Sequence, residues 1–428
     1  MSAQTYDVII VGAGIAGLAL ANKLALDGLK LAVVEAGDRS NPTRAQEDQA
    51  VSAGATPINL NAWDRRVSAL TPTSEELLKS VGAWPLMTEK RVAPYSGMRV
   101  WDADGTGQIA FCATDMGIPL LGHIVENRVT TEALVVCAEQ QRKVDLYWGD
   151  PLATVDTQPS GGRNAEAPAS GTKADQRPGA SVNVKLQSGT QLSTELLVGA
   201  DGARSRVREL LGFNTRAWSY EQRAIVATVA LANSHNQVCY QAFMSTGPLA
   251  LLPLADPRLC SIVWSLDNSV VEQRLGADDD EFLRHLNLAL TGSGQEVVGV
   301  GNRACFPLHQ CHAVDYTQPR VALIADAAHS IHPLAGQGIN LGLKDVEVLA
   351  REVLHAWAQG LDHGDPAVLR RYQRQRKGDN LGMMAAMEAF KRGFGSQQPL
   401  LRVARNLGLN WVDSLTPLKH WLAAQALQ

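Results

Sequence analysis

A glycine-rich segment near the start of the chain has the residue types and spacing needed to bind a phosphate. Residues 12–17 read GAGIAG, and an acidic residue, Glu35, follows at the end of the next apolar run. The first glycine of such a segment permits a tight turn, the second lets the backbone approach a pyrophosphate, and the third allows close helix packing. A helix N-terminus stabilises the phosphate charge, and the acid accepts hydrogen bonds from ribose. We therefore expect a dinucleotide to contact Gly12, Gly14, Gly17 and Glu35.

Two aspartates further along the chain also follow apolar runs. Asp201 lies in the stretch LVGADGARS at 197–205, and Asp326 lies in VALIADAAH at 321–329. An aspartate at the end of a buried strand can bind a ribityl hydroxyl, or it can simply cap the helix that follows. The turn HPLAGQGIN at 332–340 offers backbone N–H groups to an anionic ring edge. Together these motifs favour FAD over NAD.

The elements that position the first motif are a strand, a helix and a second strand. Residues 6–11 and 31–34 are apolar runs typical of strands buried on both faces, and residues 15–26 have helical spacing. Such a unit begins a parallel, doubly wound sheet. A further helix is predicted over 73–81, with Thr71 or Thr73 as its N-cap.

Later segments have a different pattern. Residues 97–101 and 108–111 alternate around the turn Asp104-Gly105, and residues 224–266 also alternate. These segments predict an antiparallel sheet inserted between pieces of the first domain. Residues 156–180 lack large apolar side chains and predict a flexible loop.

The end of the chain is helical by pattern. Its basic stretch at 370–377 favours a solvated helix face over a membrane or partner surface. An amphipathic stretch near 400–427 follows, interrupted at Pro417.

Composition limits the class of partner. The chain has 428 residues, 39 Lys and Arg against 43 Asp and Glu, and a net charge of −4. This balance argues against nucleic-acid binding, which needs a concentrated excess of positive charge. Six scattered cysteines are typical of reduced thiols, and no segment reaches the roughly 18 apolar residues of a membrane span. We expect a cytoplasmic protein with a small-molecule partner and at most peripheral membrane contact.

The three motifs, in this order, closely resemble the FAD-dependent aromatic hydroxylases built like para-hydroxybenzoate hydroxylase. The resemblance extends from Tyr6 to about Asn380, and it is strongest for the branch that hydroxylates ubiquinone precursors, especially members that act on a 2-polyprenylphenol. The segments that carry this likeness to the branch are RVSAL at 66–70, GHIVEN at 122–127, LPLADP at 252–257, SIVWSL at 261–266, FPL at 306–308 and HPLAGQG at 332–338.

The resemblance implies an α/β fold with three parts. A doubly wound FAD-binding domain with a mainly parallel sheet would occupy 1–90, 122–212 and 303–355. An antiparallel-sheet substrate domain would occupy 91–121 and 213–302, and a helical C-terminal region would occupy 356–428. One departure is Ala325, where the family usually has glycine.

Roles for individual residues also follow from the resemblance. The glycines of 12–17 would hold the pyrophosphate, Glu35 the adenosine ribose, and Arg66 and Arg128 the flavin phosphate and ribityl region. Asp201 would serve both FAD and reduced nicotinamide, and Asp326 the ribityl chain. The flavin turn would contribute Pro333, Gly336, Gly338, Ile339 and Asn340.

The implied reaction is ring hydroxylation of a polyprenylated phenol with NAD(P)H and O₂, through a flavin C4a-hydroperoxide. His123 is a candidate for proton transfer, although a structural histidine between domains fits the sequence better. His329 and His332 lack a third ligand at metal-binding spacing, so no metal is expected.

Three alternatives remain open. The substrate could be a later methoxylated ubiquinone intermediate or a small catabolic phenol, or the chain could be a non-catalytic FAD-binding component of a quinone-synthesis complex. Membership of such a complex and a homo-oligomer are both compatible with the sequence.

Overall fold

The computed structural model describes residues 3–39, 59–157, 181–330 and 338–395, with side chains to residue 389 in the last range. Most of the predicted loop at 156–180, Pro333, Gly336 and the amphipathic stretch at 400–427 lie outside the described residues. The helices are α1 Ile15–Leu26, α2 Pro72–Ser80, α3 Ala83–Thr88, α4 Asn127–Gln140, α5 Arg206–Leu210, α6 Asn268–Gly276, α7 Asp279–Ala289, α8 Gly338–Ala358 and α9 Pro366–Gly395.

The strands of the described residues form three sheets. They are β1 Gln4–Val11, β2 Leu31–Glu35, β3 Val67–Leu70, β4 Val92–Tyr95, β5 Gly97–Asp102, β6 Gln108–Cys112, β7 Gly122–Glu126, β8 Val144–Trp148, β9 Leu152–Thr157, β10 Val182–Leu186, β11 Gln191–Gly199, β12 Thr215–Leu231, β13 Val238–Phe243, β14 Leu249–Pro253, β15 Leu259–Asp267, β16 Val297–Val300, β17 Ala304–Ala313, β18 Thr317–Gln318, β19 Val321–Leu323 and β20 His329–Ser330.

The first sheet is the parallel one that the opening motif predicts. Its central order is β19-β11-β1-β2-β8, and each neighbouring pair is parallel. In register, Val11 lies beside both Gly199 and Val34, and Gly199 lies beside Leu323. The carboxyl ends of four strands therefore meet at one edge, which is where open α/β sheets bind ligands. The glycine-rich segment, Glu35 and the segments containing the two aspartates all follow this edge.

Burial explains why these strands are continuous apolar runs. Helix α1 packs against both α4 and α8, and it contributes Leu18, Leu20 and Leu24, all without solvent exposure. A sheet covered in this way needs apolar side chains on both faces of its strands. The predicted bounds of α1 are confirmed, and α2 begins with Thr71 as its N-cap, whose hydroxyl accepts from Ser74 N at 3.4 Å.

The second sheet has nine strands in the order β20-β17-β12-β15-β14-β13-β5-β6, with β16 beside β12. Its pairs are antiparallel except that β13 and β5 run parallel, which corrects the expectation of a wholly antiparallel sheet. The hairpin of β5 and β6 confirms the predicted turn at Asp104-Gly105. Strand β17, which lies within the predicted cofactor segment 303–355, pairs with β12 in this sheet.

Two layers that the sequence did not predict cover the nine-stranded sheet. On one face, α6 and α7 supply Val271, Phe282 and Leu286 to a core that includes Trp264. The other face packs on a third sheet in the order β3-β7-β4. These layers leave the strands of the nine-stranded sheet largely buried.

The basic stretch at 370–377 is part of α9, which packs on α8. Tyr372 is fully buried, Arg376 is 2% exposed, and the Lys377 ammonium donates to the carbonyl of Val314. The interpretation of this stretch as a solvated helix face is confirmed only in part. Arg370, Arg374 and Gln375 are exposed, whereas Tyr372 and Arg376 are buried on the side that packs against the protein. No helix of the described residues is long and apolar enough to cross a bilayer.

Candidate cofactor site

The three glycines of the first motif have different physical roles. Gly12 has φ of +109°, and a Cβ there would lie 2.4 Å from the carbonyl oxygen of Ala200. A Cβ at Gly17 would lie 2.0 Å from the carbonyl oxygen of Gly12. Both glycines are therefore required by packing between the strand ends and α1. A Cβ at Gly14, by contrast, would meet nothing within 4 Å.

The space beside Gly14 fits an anionic ligand. Gly14 is the N-cap of α1, and among the described residues no side chain caps this helix. The N-terminal N–H groups of a helix carry partial positive charge and need acceptors. A pyrophosphate would supply those acceptors where the backbone is unobstructed. The residues present thus fit FAD at this edge.

Glu35 is tied to the same loop. Its Oε2 accepts from Ala13 N at 2.7 Å, and its Oε1 accepts from Gly37 N at 2.8 Å. These two bonds fix the carboxylate at the end of β2, beside the start of α1. Each oxygen retains a lone pair that a ribose hydroxyl can use.

Asp201 has the capping role that was one of the two alternatives left open by the sequence. Its Oδ2 accepts from Arg206 N at 2.6 Å and from Val207 N at 3.1 Å, so it caps α5. Its Oδ1 is buried and has no hydrogen-bond partner among the described residues. A buried carboxylate oxygen without a donor is unfavourable. Asp201 is therefore a structural cap whose second oxygen can accept from a ligand.

Asp326 follows the end of β19 and has no side-chain hydrogen bond among the described residues. Asp326 is exposed by surface area, but protein atoms surround its carboxylate closely enough to remove much of its hydration. Desolvation by the surrounding protein raises the pKa of Asp326, and the charges of His329 and Arg66 oppose that rise. The aspartate and Arg66 are thus close enough to interact, as a shared flavin site requires.

Ala325 adopts a left-handed conformation, with φ of +51°. A Cβ built at Gly342 on α8 would lie 2.7 Å from the Cβ of Ala325. The methyl group that distinguishes this chain from the usual glycine is therefore accommodated by α8.

Arg66 and Arg128 are brought together by an aspartate that the sequence analysis did not single out. Asp64 accepts from Arg66 N at 3.0 Å through Oδ1 and from Arg128 N at 3.1 Å through Oδ2. Asn127 N also donates to the carbonyl of Arg66 at 2.9 Å. The position of Asp64 two residues before Arg66 is a sequence signal for a local turn. Its contact with Arg128 could not be predicted in this way, because the two residues meet only in the folded chain.

Asp64 is itself held by Glu126. Its N–H donates to Glu126 Oε1 at 2.6 Å, and Glu126 Oε2 lies 2.9 Å from Arg91 Nε. Burial raises the pKa of Glu126, and Arg91 opposes this change. In this relay of two acidic residues, the Glu126 carboxylate holds the backbone of Asp64, and the Asp64 carboxylate holds the backbones of Arg66 and Arg128.

The start of α8 supplies the described part of the flavin turn. The Asn340 amide donates to Ala69 O at 2.7 Å and accepts from Ser74 Oγ at 2.7 Å and Thr71 N at 3.2 Å. Its side chain therefore braces α8 against β3 and α2. A Cβ at Gly338 would meet nothing within 4 Å, so the first turn of α8, with Ile339, is open to a ligand at Gly338.

His123 lies between α2 and α3. Its Nδ1 is 3.1 Å from Glu75 Oε2, and its ring meets Trp84 edge-on at 5.0 Å between centroids. Burial lowers the pKa of His123, while Glu75 opposes the change. These contacts favour the structural alternative over a role in proton transfer. Within the described residues, no cluster of three His, Cys, Asp or Glu side chains could hold a metal ion.

Comparison with known proteins agrees with the site. A family model described as an FAD binding domain matches residues 130–384, and a second FAD binding domain model matches residues 7–69.

Curated relatives match along nearly the whole chain. The chain is 34% identical to the mitochondrial ubiquinone biosynthesis monooxygenase COQ6 of Xenopus tropicalis, over 98% of this chain and 93% of that protein. It is 33% identical to 3-demethoxyubiquinol 3-hydroxylase of Escherichia coli, over 100% of both. It is also 33% identical to ubiquinone hydroxylase UbiL of Rhodospirillum rubrum, over 99% of this chain and 90% of that protein.

Solved structures share the fold. p-Nitrophenol 4-monooxygenase PnpA from Pseudomonas putida matches with a TM-score of 0.72 and 17% identity, over 99% of this chain and 98% of that one. PqsL, a probable FAD-dependent monooxygenase from Pseudomonas aeruginosa, matches with a TM-score of 0.72 and 21% identity, over 95% and 99%. The chain belongs to the FAD-dependent aromatic-ring monooxygenases, in the branch of the ubiquinone-biosynthesis hydroxylases.

Proposed function

We propose that this protein hydroxylates the phenol ring of a polyprenylated ubiquinone precursor, with FAD as cofactor and NAD(P)H and O₂ as co-substrates. The observation that carries the proposal is the near-complete coverage of relatives whose names place them in ubiquinone biosynthesis or hydroxylation. The parallel sheet supports it, because the glycine-rich loop and the segments that contain the two aspartates follow strand ends that meet at one edge.

In this proposal different groups of residues bind different parts of FAD. The open backbone at Gly14 and the N-terminus of α1 hold the pyrophosphate, and Glu35 accepts from the adenosine ribose. Arg66 and Arg128, fixed by Asp64, place positive charge near the phosphate and ribityl region. The flavin, when bound, supplies the redox chemistry with NAD(P)H and O₂.

The nicotinamide donor binds transiently near Asp201 in this account. The cap that Asp201 forms on α5 fixes its position, and its unpaired Oδ1 is the acceptor that remains for a ligand hydroxyl. Residues 332–340 hold the flavin ring in this proposal, and Asn340 braces the start of α8.

The protein's own contribution to the reaction is positioning and exclusion of water. Ring hydroxylation needs a substrate ring held beside the flavin in a space that water does not enter. Ala69, whose carbonyl accepts from Asn340, lines a small and mostly apolar cavity between β3, β4 and the nine-stranded sheet. Its mostly apolar lining supports exclusion of water in this part of the protein.

A strain that lacks this protein tests the proposal. Quinone intermediates extracted from the strain are identified by mass spectrometry. Accumulation of a polyprenylphenol with one ring position unhydroxylated supports the proposal. An unchanged quinone pool contradicts it.

A second candidate substrate is a later ring intermediate. The Escherichia coli relative is named for hydroxylating 3-demethoxyubiquinol, and it covers the entire chain. Accumulation of a methoxylated intermediate in the same strain identifies this second candidate.

A non-catalytic role in a quinone-synthesis complex gives a different outcome in vitro. The purified protein would then bind FAD, but no alkylphenol would stimulate its NAD(P)H oxidation.

The hydroxylase proposal also includes a cytoplasmic location, peripheral membrane contact and a homo-oligomer. Fractionation of cell extracts tests the location and the membrane contact.

A further inference from the structure

A buried carboxylate lies directly behind the segment that carries Asp326. Asp345 on α8 is 0% exposed. Its Oδ2 accepts from Ala325 N at 2.9 Å and lies 2.5 Å from His329 Nε2. One oxygen of Asp345 therefore holds the residue before Asp326 and the histidine three residues after it.

The other oxygen of Asp345 is held by α9. Its Oδ1 accepts from Arg376 Nε at 2.8 Å and from Asn380 Nδ2 at 3.3 Å. Arg376 also donates to Asn380 Oδ1 at 2.7 Å and pairs with Asp379 at 2.9 Å. The C-terminal helix thus reaches the segment at 325–329 through the Asp345 carboxylate, and its Tyr372 hydroxyl donates to Leu323 O, just before this segment, at 2.7 Å.

The electrostatics of this cluster keep Asp345 charged. Burial by itself raises the pKa of Asp345, but the charges and hydrogen bonds of His329 and Arg376 outweigh burial and the pKa lies below its usual range. A buried charge is tolerated when its partners are well placed, and removal of one partner is strongly unfavourable. The cluster is therefore a single unit with one favoured geometry.

Ala325 needs such a unit. A non-glycine residue in the left-handed region is strained, and the conformation persists only where the surroundings impose it. The Ala325 N–H donates to the Asp345 side chain, and the methyl group of Ala325 packs at Gly342 on the same helix. Helix α8 therefore contacts both the backbone N–H and the methyl group of Ala325, and these contacts hold the left-handed conformation.

We propose that Asp345 is a positioning residue for the cofactor. It holds Ala325 in the left-handed conformation, which sets the direction of the Asp326 carboxylate, and it couples the docking of α9 to the binding of FAD. This inference rests on the proposed place of Asp326 at the ribityl chain and does not depend on which phenol is the substrate.

The same two helices contain a matched control. Glu352 on α8 is 8% exposed, accepts from Arg371 Nε at 2.7 Å and from Gln375 Nε2 at 3.0 Å, and so also joins α8 to α9. Among the described residues, Glu352 makes no hydrogen bond or ion pair with the segment at 325–329. A substitution at Glu352 removes a comparable ion pair and leaves the cofactor segment untouched.

The experiment measures the dissociation constant of FAD from the full-length apoprotein by titration with FAD, followed by flavin fluorescence. We expect Asp345→Asn to weaken binding by about tenfold or more, because it breaks a charged network. Glu352→Gln should change it by less than about twofold, as for a partly exposed pair. Both variants lower the Tm of the apoprotein. Equal weakening by the two variants, or no weakening by Asp345→Asn, overturns the proposal.

A rescue separates positioning from general stability. Glycine adopts the left-handed conformation without strain, so Ala325→Gly in the Asp345→Asn background should recover about threefold of the lost affinity. The same second substitution should not raise the affinity of the Glu352→Gln variant. Absence of recovery in the Asp345→Asn background overturns the conformational part of the proposal.

Three further variants cover other failures. If Asp345→Asn does not fold, Arg376→Gln is compared with Arg371→Gln, and the same difference in FAD affinity is expected. Asp326→Asn tests the assumption beneath the proposal. If Asp326→Asn binds FAD as the wild type does, its role at the flavin is wrong. If it weakens binding and the Arg376 and Asp345 variants do not, only the positioning role is wrong.

Hydrogen exchange tests the proposed coupling between FAD binding and the docking of α9. Hydrogen exchange of the backbone amides at 366–389 should slow when FAD is added to the wild-type protein and to Glu352→Gln. It should slow much less in Asp345→Asn. Equal slowing in all three proteins contradicts the coupling.

Discussion

The methyl group of Ala325 occupies the space that the missing side chain of Gly342 leaves, because a Cβ at position 342 would lie 2.7 Å from the Cβ of Ala325. Gly342→Ala should therefore destabilise the protein by about 1–3 kcal/mol, the usual range for overpacking. Urea unfolding of the apoprotein measures this change. Ala325→Gly should restore most of the loss, since it removes the opposing methyl group.

Gly378 provides the control for that substitution. It lies on α9, and a Cβ there would meet nothing within 4 Å. Gly378→Ala should raise stability by up to about 1 kcal/mol, because alanine is the better helix residue. A similar loss for Gly378→Ala and Gly342→Ala would show that the contact with Ala325 is not the cause.

The glycine-rich loop predicts a separation between stability and FAD binding. Gly14→Ala should leave the Tm of the apoprotein nearly unchanged, because its Cβ enters open space, but it should weaken FAD binding by about tenfold or more. Gly17→Ala should lower the Tm sharply, since its Cβ would meet Gly12 O at 2.0 Å. Thermal unfolding and FAD titration of both variants check this. Unaltered FAD affinity in Gly14→Ala would contradict the placement of the pyrophosphate.

Asp64 should matter for the cofactor although it is not expected to touch it. Asp64→Ala removes both bonds that fix the Arg66 and Arg128 backbones, so we expect weaker FAD binding and a loss of about 1–3 kcal/mol in stability. Asp150→Ala is the control, because Asp150 also accepts from a backbone N–H of a distant segment, that of Ser188 at 2.8 Å, at an exposed turn. Only Asp64→Ala should change the FAD dissociation constant, and an equal effect of both variants would argue against the relay.

His312 predicts a loss of stability in acid. It is 5% exposed, and burial together with the charges of His329, Lys377 and Arg216 lowers its pKa to about 4. Its pKa in the unfolded chain is about 6.5, so between those values the unfolded state binds the extra proton. The contribution of the neutral imidazole is therefore complete above about pH 6.5 and falls as the pH drops toward 4.

The His312→Gln variant isolates this effect. The difference in unfolding free energy between wild type and variant should depend on pH between about 6.5 and 4, and should be constant above that range. Urea unfolding at a series of pH values provides the comparison. A difference that does not vary with pH would show that His312 does not carry this effect.

Features fixed by local backbone requirements were predictable from the sequence. Gly12 and Gly17 stand where a side chain would strike a neighbouring backbone, and the apolar runs of β1 and β2 reflect burial on both faces. Contacts between distant segments were not predictable. Asp64 meets Arg128, and Asp345 meets Arg376, only because the strands and helices between them fold back, and no spacing rule relates residues in this way.

Helices α6 and α7 and the third sheet were also missed. Helix α6 is short and only one of its residues, Val271, is fully buried, so it gives little periodic signal. The buried side of the basic stretch at 370–377 was not predicted for a related reason. Arg376 is buried because it meets Asp345, and a sequence reading assigns arginine to the surface unless its partner is known.

The most direct test of the central claim is a single turnover assay with isotopically labelled O₂. Purified, FAD-loaded protein is mixed with NAD(P)H, labelled O₂ and a short-chain polyprenylphenol, and the product is analysed by mass spectrometry. The account predicts a ring-hydroxylated product that carries one labelled oxygen atom. Oxidation of NAD(P)H to give only hydrogen peroxide, with this phenol and every later ring intermediate unchanged, would contradict it.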